Sequence, residues 1–329
     1  MTPLAPLLQG FFAERLSENR ASPHTVSSYR DTFCLLLRFA AAATGKAPSE
    51  LGLADLDHVM VGAFLDDVES GRGCSISTRN LRRTAIRSFF GYAALYCPEQ
   101  SLVIQRVLAI PQKRGDKRIV SFLTKDEAEA LLKSPDRTSF IGRRDHALMT
   151  VAVQAGLRVS ELTGLTCADL ELGTGANVHC KGKGRKERRT PLTPTTARLM
   201  RTWSAERAGA PGDPLFPARE GGRMSTDAVA KLVAKHAATA TAACPSMANK
   251  RVTPHVLRHT CAMSLLQAGI ETSVIALWLG HASTQATQIY LHADLKLKER
   301  ALALTDPPEA ASRGRYRPTD SLLAFLEGL

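Results

Sequence analysis

Aromatic residues make up only 5% of the 329-residue chain, with two tryptophans and five tyrosines. Any side chain chemistry that needs a phenol must therefore fall on one of five positions. No window approaches the run of about 18 apolar residues that a bilayer-spanning helix requires. The start, MTPLAPLLQGFFAERLSENR, carries neither a basic leader region nor a small-residue cleavage site. A cytoplasmic protein with no membrane partner is the expectation. The seven cysteines, at 34, 74, 97, 167, 180, 244 and 261, are odd in number, scattered and free of any C-x-x-C pair. That distribution argues against a disulfide framework or a cysteine-based zinc site and for reduced, mostly buried thiols. The glycine-rich KGKGRKER run lacks the G-x-x-x-x-G-K-[ST] spacing of a nucleotide-binding loop, so an ATP site is not supported. No internal repeat is evident.

What is present is a folded-class composition, 44% apolar and 22% charged, with a net charge of +12. At this length two domains are expected, because single cores stop growing near about 250 residues. The charge is uneven: residues 1–110 hold eleven Arg/Lys against ten Asp/Glu, leaving a net +11 on residues 111–329. An excess of this sign suits a polyanionic partner gripped by the second half. The stretch IPQKRGDKRIVS from Ile110 to Ser121 has basic, Pro and Gly residues and no periodicity, which places the boundary there. The expected organisation is a domain over 1–110, a linker over 111–118, a second domain over 119–306 and a tail over 307–329.

Several elements announce themselves. Ser22-Pro23 reads as an N-cap with proline in the first turn, followed by Val26, Tyr29, Phe33, Leu36 and Leu37 at helical spacing. A second helix is expected from about Ser77 to Tyr96, with Leu81, Ile86, Phe89 and Phe90 apolar and Arg79, Arg82, Arg83 and Arg87 sharing one face. That basic face has two readings, a solvated surface or a helix laid along nucleic acid. Thr124-Lys-Asp-Glu127 has the spacing of a capping box, and a helix from about Arg144 to Gln154 closes at Gly156. Asn177 to Leu192 reads as a basic β-hairpin around a Gly-Lys-Gly turn. Thr253-Pro254 opens a helix that runs to Gln267 and stops at Gly269; the next runs from Glu271 to Leu279 and stops at Gly280. The Leu322–Leu329 stripe ends the chain.

His255 and Arg258 in HVLRH project from one face of a first helical turn, where unpaired backbone N–H groups attract anions. His259 reads as a helix histidine that packs or hydrogen-bonds internally. The His255/His259 spacing does not make a zinc site, since no glutamate follows the first histidine. Arg158 in QAGLRVSEL can point inward from a turn, or pair with Glu161. Lys183 at the hairpin tip can carry an ammonium group to a ligand, although most lysines in such runs only contact solvent or phosphate. Tyr290, nine residues after His281, taken alone fits a core position better than a nucleophile.

Taken together and in order, AGLRVSEL, GKGRKERRTPL, HVLRH, LGH and IYLH resemble the tyrosine recombinase (phage integrase) family, including its Xer-type members. The resemblance spans roughly residues 12–300, since SPHTVSSYRDTFCLLLRFA is similar to the family's N-terminal core-binding helix. It implies a mostly α fold with a small β-sheet (α+β): a helical, SAM-like core-binding domain and a catalytic domain forming a C-shaped clamp on DNA. It implies Arg158, Lys183, His255, Arg258, His281 and the nucleophile Tyr290 as catalytic residues, with no cofactor and no metal. Arg79, Arg83, Arg87 and Lys186 are candidates for DNA contact. The implied activity is site-specific cleavage and rejoining of DNA through a 3′-phosphotyrosine, with integration, excision or transposition of a mobile element preferred to a housekeeping role. The implied partners are double-stranded recombination sites, a tetramer of the chain on two duplexes, and other recombinases or accessory proteins, in a nucleoid-associated setting. The C-terminal stripe is expected to dock on a neighbour or to fold back on its own domain. A type IB topoisomerase and a non-catalytic DNA-binding accessory protein are the alternatives.

Overall fold

The computed structural model describes residues 3–18, 21–115, 120–182, 187–280, 287 and 289–290. It divides into two compact units, Met1–Lys117 and Arg118–Leu329. Among the described residues the fold is mostly helical with one small sheet, the expected class. No helix among them is long and apolar enough to cross a membrane.

In the first unit, α1 (Leu4–Gly10) runs on through Phe11–Arg15, and α2 (Pro23–Thr44) follows, with the Ser22 hydroxyl accepting from the Thr25 N–H at 3.2 Å. Next come α3 (His58–Asp66), α4 (Ile76–Tyr96) and α5 (Ser101–Leu108). The scarce aromatics are concentrated here. Phe11 meets Phe89 edge-on at 5.6 Å, and Phe33 meets Phe89 at 5.2 Å. These offset and edge-to-face contacts are what ring quadrupoles favour, and they pin α2 and α4 to the N-terminal helix.

Two residues of α4 differ from the sequence reading. Leu81 is 53% exposed, whereas Arg79 is only 8% exposed and lies 3.6 Å from the Glu69 carboxylate and 3.8 Å from that of Asp66. The reason is helical geometry. Arg79 stands seven residues, two turns, before Ile86 and so shares its packed face, while Leu81 points away. Arg83 is half-buried and donates from Nε to the Ile110 carbonyl at 2.6 Å.

The second unit opens with α6 (Lys125–Lys133), whose capping box forms as expected: the Thr124 hydroxyl accepts from the Glu127 N–H while Glu127 accepts from the Thr124 N–H. The buried helix α7 (Phe140–Ala155) starts four residues earlier than its pattern suggested, because Ser139 caps it. The short α8 (Val159–Gly164) follows. Strands β1 (Leu170–Glu171), β2 (Asn177–Lys181) and β3 (Glu187–Pro191) form an antiparallel sheet in that order. The register pairs Val178 with Thr190 and Cys180 with Arg188. Then come α9 (Pro194–Arg207), α10 (Thr226–Thr241), α11 (Pro254–Gln267) and α12 (Thr272–Leu279). Their core gathers Leu148, Val151, Met200, Trp203, Leu215 and Val233, with the Trp203 indole N–H donating to the Leu215 carbonyl at 3.0 Å.

The turn between α7 and α8 depends on Gly156, whose φ of +62° is costly for any residue with a β-carbon. A methyl there would also lie 2.6 Å from Leu279 Cδ2 and 3.0 Å from Cys261 Sγ. Gly156→Ala is therefore expected to destabilise the chain by about 2–4 kcal/mol, from backbone strain plus overpacking. A thermal or denaturant midpoint unchanged from wild type would contradict this.

Candidate active site

Four segments converge in the second unit. The α7–α8 turn presents Arg158, the first turns of α11 present His255 and Arg258, β3 presents Arg188, and the C-terminal end of α12 faces them all. Arg158 donates from Nη2 to the Gly280 carbonyl at 3.0 Å, and Arg258 donates from Nη2 to the Leu279 carbonyl at 2.8 Å and from Nη1 to the Gly156 carbonyl at 2.7 Å. Arg188 donates from Nε to the Trp278 carbonyl at 3.0 Å. Three consecutive carbonyls at a helix C-terminus thus accept from three different guanidinium groups. A helix ends in unpaired carbonyls and the negative pole of its dipole, so it draws cations together.

The carboxylate within this cluster is Glu161, almost fully buried. It accepts from Arg158 Nη1 at 2.9 Å and from the Arg158 N–H at 2.8 Å, and from both ends of the Arg188 fork at 2.9 and 2.8 Å. Burial by itself would raise its pKa, but the Arg188 fork and the Arg158 contacts outweigh it and hold the carboxyl below its ordinary value. Glu161 is therefore a carboxylate at neutral pH. The two readings of Arg158 in the sequence are both realised: it pairs with Glu161 and it also points inward.

Arg258 is 3% exposed, and burial followed by repulsion from Arg158 lowers its pKa to about 10. It still carries its charge at neutral pH. His255, at the surface of the first turn of α11, is held below its ordinary value by desolvation of its ring and then by the charges of Arg258 and Arg158.

Tyr290 is 1% exposed and packs among Met263, Leu266, Ile275 and Leu279 of α11 and α12. Desolvation raises its pKa, with Arg258 pulling the other way. Its hydroxyl lies 3.0 Å from Nδ1 of His259, and the rings of His255 and His259 stand 4.8 Å apart. His259 does hydrogen-bond internally, as its sequence reading held, but to the one tyrosine of this unit that the motifs single out. Lys183, Lys186 and His281 lie outside the described residues, as do the tail and the Leu322–Leu329 stripe. The hairpin strands on either side of Lys183 are present in β2 and β3. Arg79, Arg83 and Arg87 belong to the first unit. Among the described residues no group of three or more His, Cys, Asp or Glu is placed to hold a metal.

Sequence reasoning passed over Arg188 and gave His259 no special partner. Arg188 hides in a basic run, KGRKERR, and only its strand position gives it away. Two residues before the buried Thr190 and opposite the buried Cys180, it falls on the inward face of the sheet.

The Phage integrase family matches residues 121–296, and the family's N-terminal SAM-like domain matches residues 8–95. The chain belongs to the phage integrase family of tyrosine recombinases. It is a site-specific DNA recombinase by that membership. It is 54% identical over 327 residues to a Sinorhizobium fredii protein named integrase/recombinase y4rC, covering 99% of this chain and 98% of that one. It is 33% identical to the tyrosine recombinase XerC of Pelobacter propionicus, covering 90% of this chain and 93% of that one. Among solved structures, the XerH recombinase bound to a palindromic difH substrate in a post-cleavage complex aligns with a TM-score of 0.68 at 27% identity, over 83% of this chain and 79% of that one. The Tn1549 transposon integrase bound to transposon right-end DNA shares the fold, with a TM-score of 0.69 at 17% identity over 92% and 99% of the two chains.

Proposed function

We propose that this recombinase binds double-stranded recombination sites and cleaves one strand at a time through Tyr290, forming a 3′-phosphotyrosine and releasing a 5′-hydroxyl that later attacks to rejoin the strand. The observation that carries this reading is the gathering of Arg158 and Arg258 around one helix end, with His255 in reach of both their charges, in the unit that also holds the Tyr290 phenol. A phosphodiester repels nucleophiles, and cations fixed in advance around its oxygens stabilise the charge that grows in the transition state. Arg158 and Arg258 engage the nonbridging oxygens, each with the part of its fork not spent on a backbone carbonyl. His281 donates to a nonbridging oxygen and Lys183 protonates the departing 5′-oxygen. His255, kept neutral by its surroundings, accepts the phenol's proton or hydrogen-bonds the phosphate. The phosphotyrosine conserves the energy of the broken diester, so the reaction as proposed consumes no ATP.

We assign Arg83, Arg87 and Lys186 to contact with the DNA backbone, and Arg79, through its pairs with Asp66 and Glu69, to holding α4 in place beside them. Four protomers act on two duplexes, and the setting is a mobile element associated with the nucleoid. The greater identity to the Sinorhizobium integrase/recombinase than to XerC supports that setting.

The test incubates the wild-type chain with nicked suicide duplexes carrying sequences that flank its own gene, and looks for a denaturant-resistant protein–DNA adduct. An adduct whose phosphate is attached to tyrosine is expected. DNA binding with no adduct on any substrate would move the reading to a non-catalytic DNA-binding protein.

The pH profile follows from His255. Its pKa is below the ordinary histidine value of about 6.5, so its neutral, accepting form persists as the pH falls through that value. The acidic limb of single-turnover cleavage is expected below pH 6.5 or so, and His255→Gln should remove it. A limb centred at or above that value in the wild type would contradict the assignment.

A further inference from the structure

Arg188 belongs to none of the roles just assigned, yet it is well enclosed: its side chain is 13% exposed, against 33% for Arg158. It occupies both carboxylate oxygens of Glu161 while reaching the Trp278 carbonyl, and so ties β3, α8 and the end of α12 together. Resting on the proposed function, we infer that Arg188 is a positioning residue that satisfies Glu161 and thereby leaves the charge of Arg158 available to the phosphate.

Charge balance in a poorly solvated place is what matters here. Glu161 is buried and ionised, and it touches two guanidinium groups. With Arg188 present the carboxylate has a bidentate partner, the strongest geometry open to it, and Arg158 needs to give it only one Nη1 hydrogen. Remove Arg188 and Arg158 becomes the remaining cation in contact with a buried negative charge. An uncompensated buried charge is costly, so Arg158 is drawn fully into a pair with Glu161. Its field at the phosphate is then cancelled by a carboxylate a few ångströms away. The effect depends on the carboxylate, which gives the inference a signature that loss of packing does not share. Because Arg188 is on the strand that leads from the hairpin tip, the same residue also fixes where β3 meets the helix end.

The experiment measures single-turnover cleavage of a suicide duplex, with DNA affinity followed by fluorescence anisotropy, for wild type, Tyr290→Phe, Arg188→Met, Glu161→Gln and the double variant Glu161→Gln/Arg188→Met. Arg188→Met is expected to slow cleavage on the order of 100-fold, as loss of one transition-state cation does, with affinity changed by no more than about threefold. The double variant is expected to be at least about tenfold faster than Arg188→Met, because no carboxylate is left to capture Arg158. A double variant as slow as Arg188→Met, or slower, overturns the inference, as does an Arg188→Met chain that cleaves at the wild-type rate. Should Arg188→Met not fold, Arg188→Lys serves in its place: it keeps a charge but cannot span both oxygens and the carbonyl, and the same rescue by Glu161→Gln is expected. No adduct from the wild type would overturn the proposed function itself, and the inference with it. An adduct from the wild type but none from Tyr290→Phe, with unaffected Arg188 variants, overturns the inference alone.

Discussion

Tyr290→Phe is expected to abolish the covalent protein–DNA adduct and leave DNA affinity within about twofold of wild type. In the proposed reaction the phenol oxygen forms the new bond to phosphorus, and no change in positioning replaces it, so the loss should be total rather than graded. The ring itself stays. Phenylalanine fills the same space among Met263, Leu266, Ile275 and Leu279, and loss of the hydroxyl's contact at 3.0 Å with His259 Nδ1 costs about 1 kcal/mol of stability. A normal thermal midpoint together with no adduct therefore separates chemistry from folding. Tyr29, Tyr92 and Tyr96 provide the controls, all three in the first unit. The Tyr92 phenol is pushed up to about 12, chiefly by desolvation, its hydroxyl contacts Glu14, and it lies outside the unit that holds Arg158 and Arg258. Phenylalanine at those three positions should leave adduct formation intact. An adduct formed by Tyr290→Phe would sink the assignment.

The second large effect is expected at Arg258. Arg258→Lys keeps a positive charge but gives up the planar fork that reaches the Gly156 and Leu279 carbonyls and, in the proposed reaction, the phosphate. Cleavage at saturating DNA should fall by roughly 10²–10³-fold, the range found when one preorganised donor is removed from a transition state. A lysine there would also lose its proton more readily than the arginine does, because the same burial and the same neighbouring Arg158 disfavour its charge. Raising the pH from 7 to 9 should then depress the Arg258→Lys variant more than the wild type. Arg258→Ala should add about 2–4 kcal/mol of destabilisation, since it strips two buried carbonyls of their donors and opens a cavity. Cleavage by Arg258→Lys within threefold of wild type would remove Arg258 from the transition state.

The comparison of sequence with structure turns on what is local. The caps at Ser22 and Thr124, the glycine stops at Gly156 and Gly280, and the helix opened by Thr253-Pro254 all form where the residues placed them. Each is decided by one side chain and its own backbone within a turn, so no distant contact can alter it. The two hairpin strands pair as well, since alternation is again a local signal. The start of α7 lies four residues before the expected one because Ser139, which caps it, stands outside the periodic apolar stretch.

Fold class, family and the order of the motif residues are legible in the chain, because helix caps, apolar periodicity and motif spacing are written in neighbouring residues. Which charges meet is settled by packing. That Arg158, Arg188 and Arg258 share three successive carbonyls of α12, that Glu161 answers two of them, and that His259 faces Tyr290 across 31 positions depends on helices and strands far apart in the chain. Arg79 and Arg188 looked like any other members of basic runs until packing turned each one inward. A single sequence carries the period of a helix or strand, but the face that becomes buried is chosen by the surfaces packed against it.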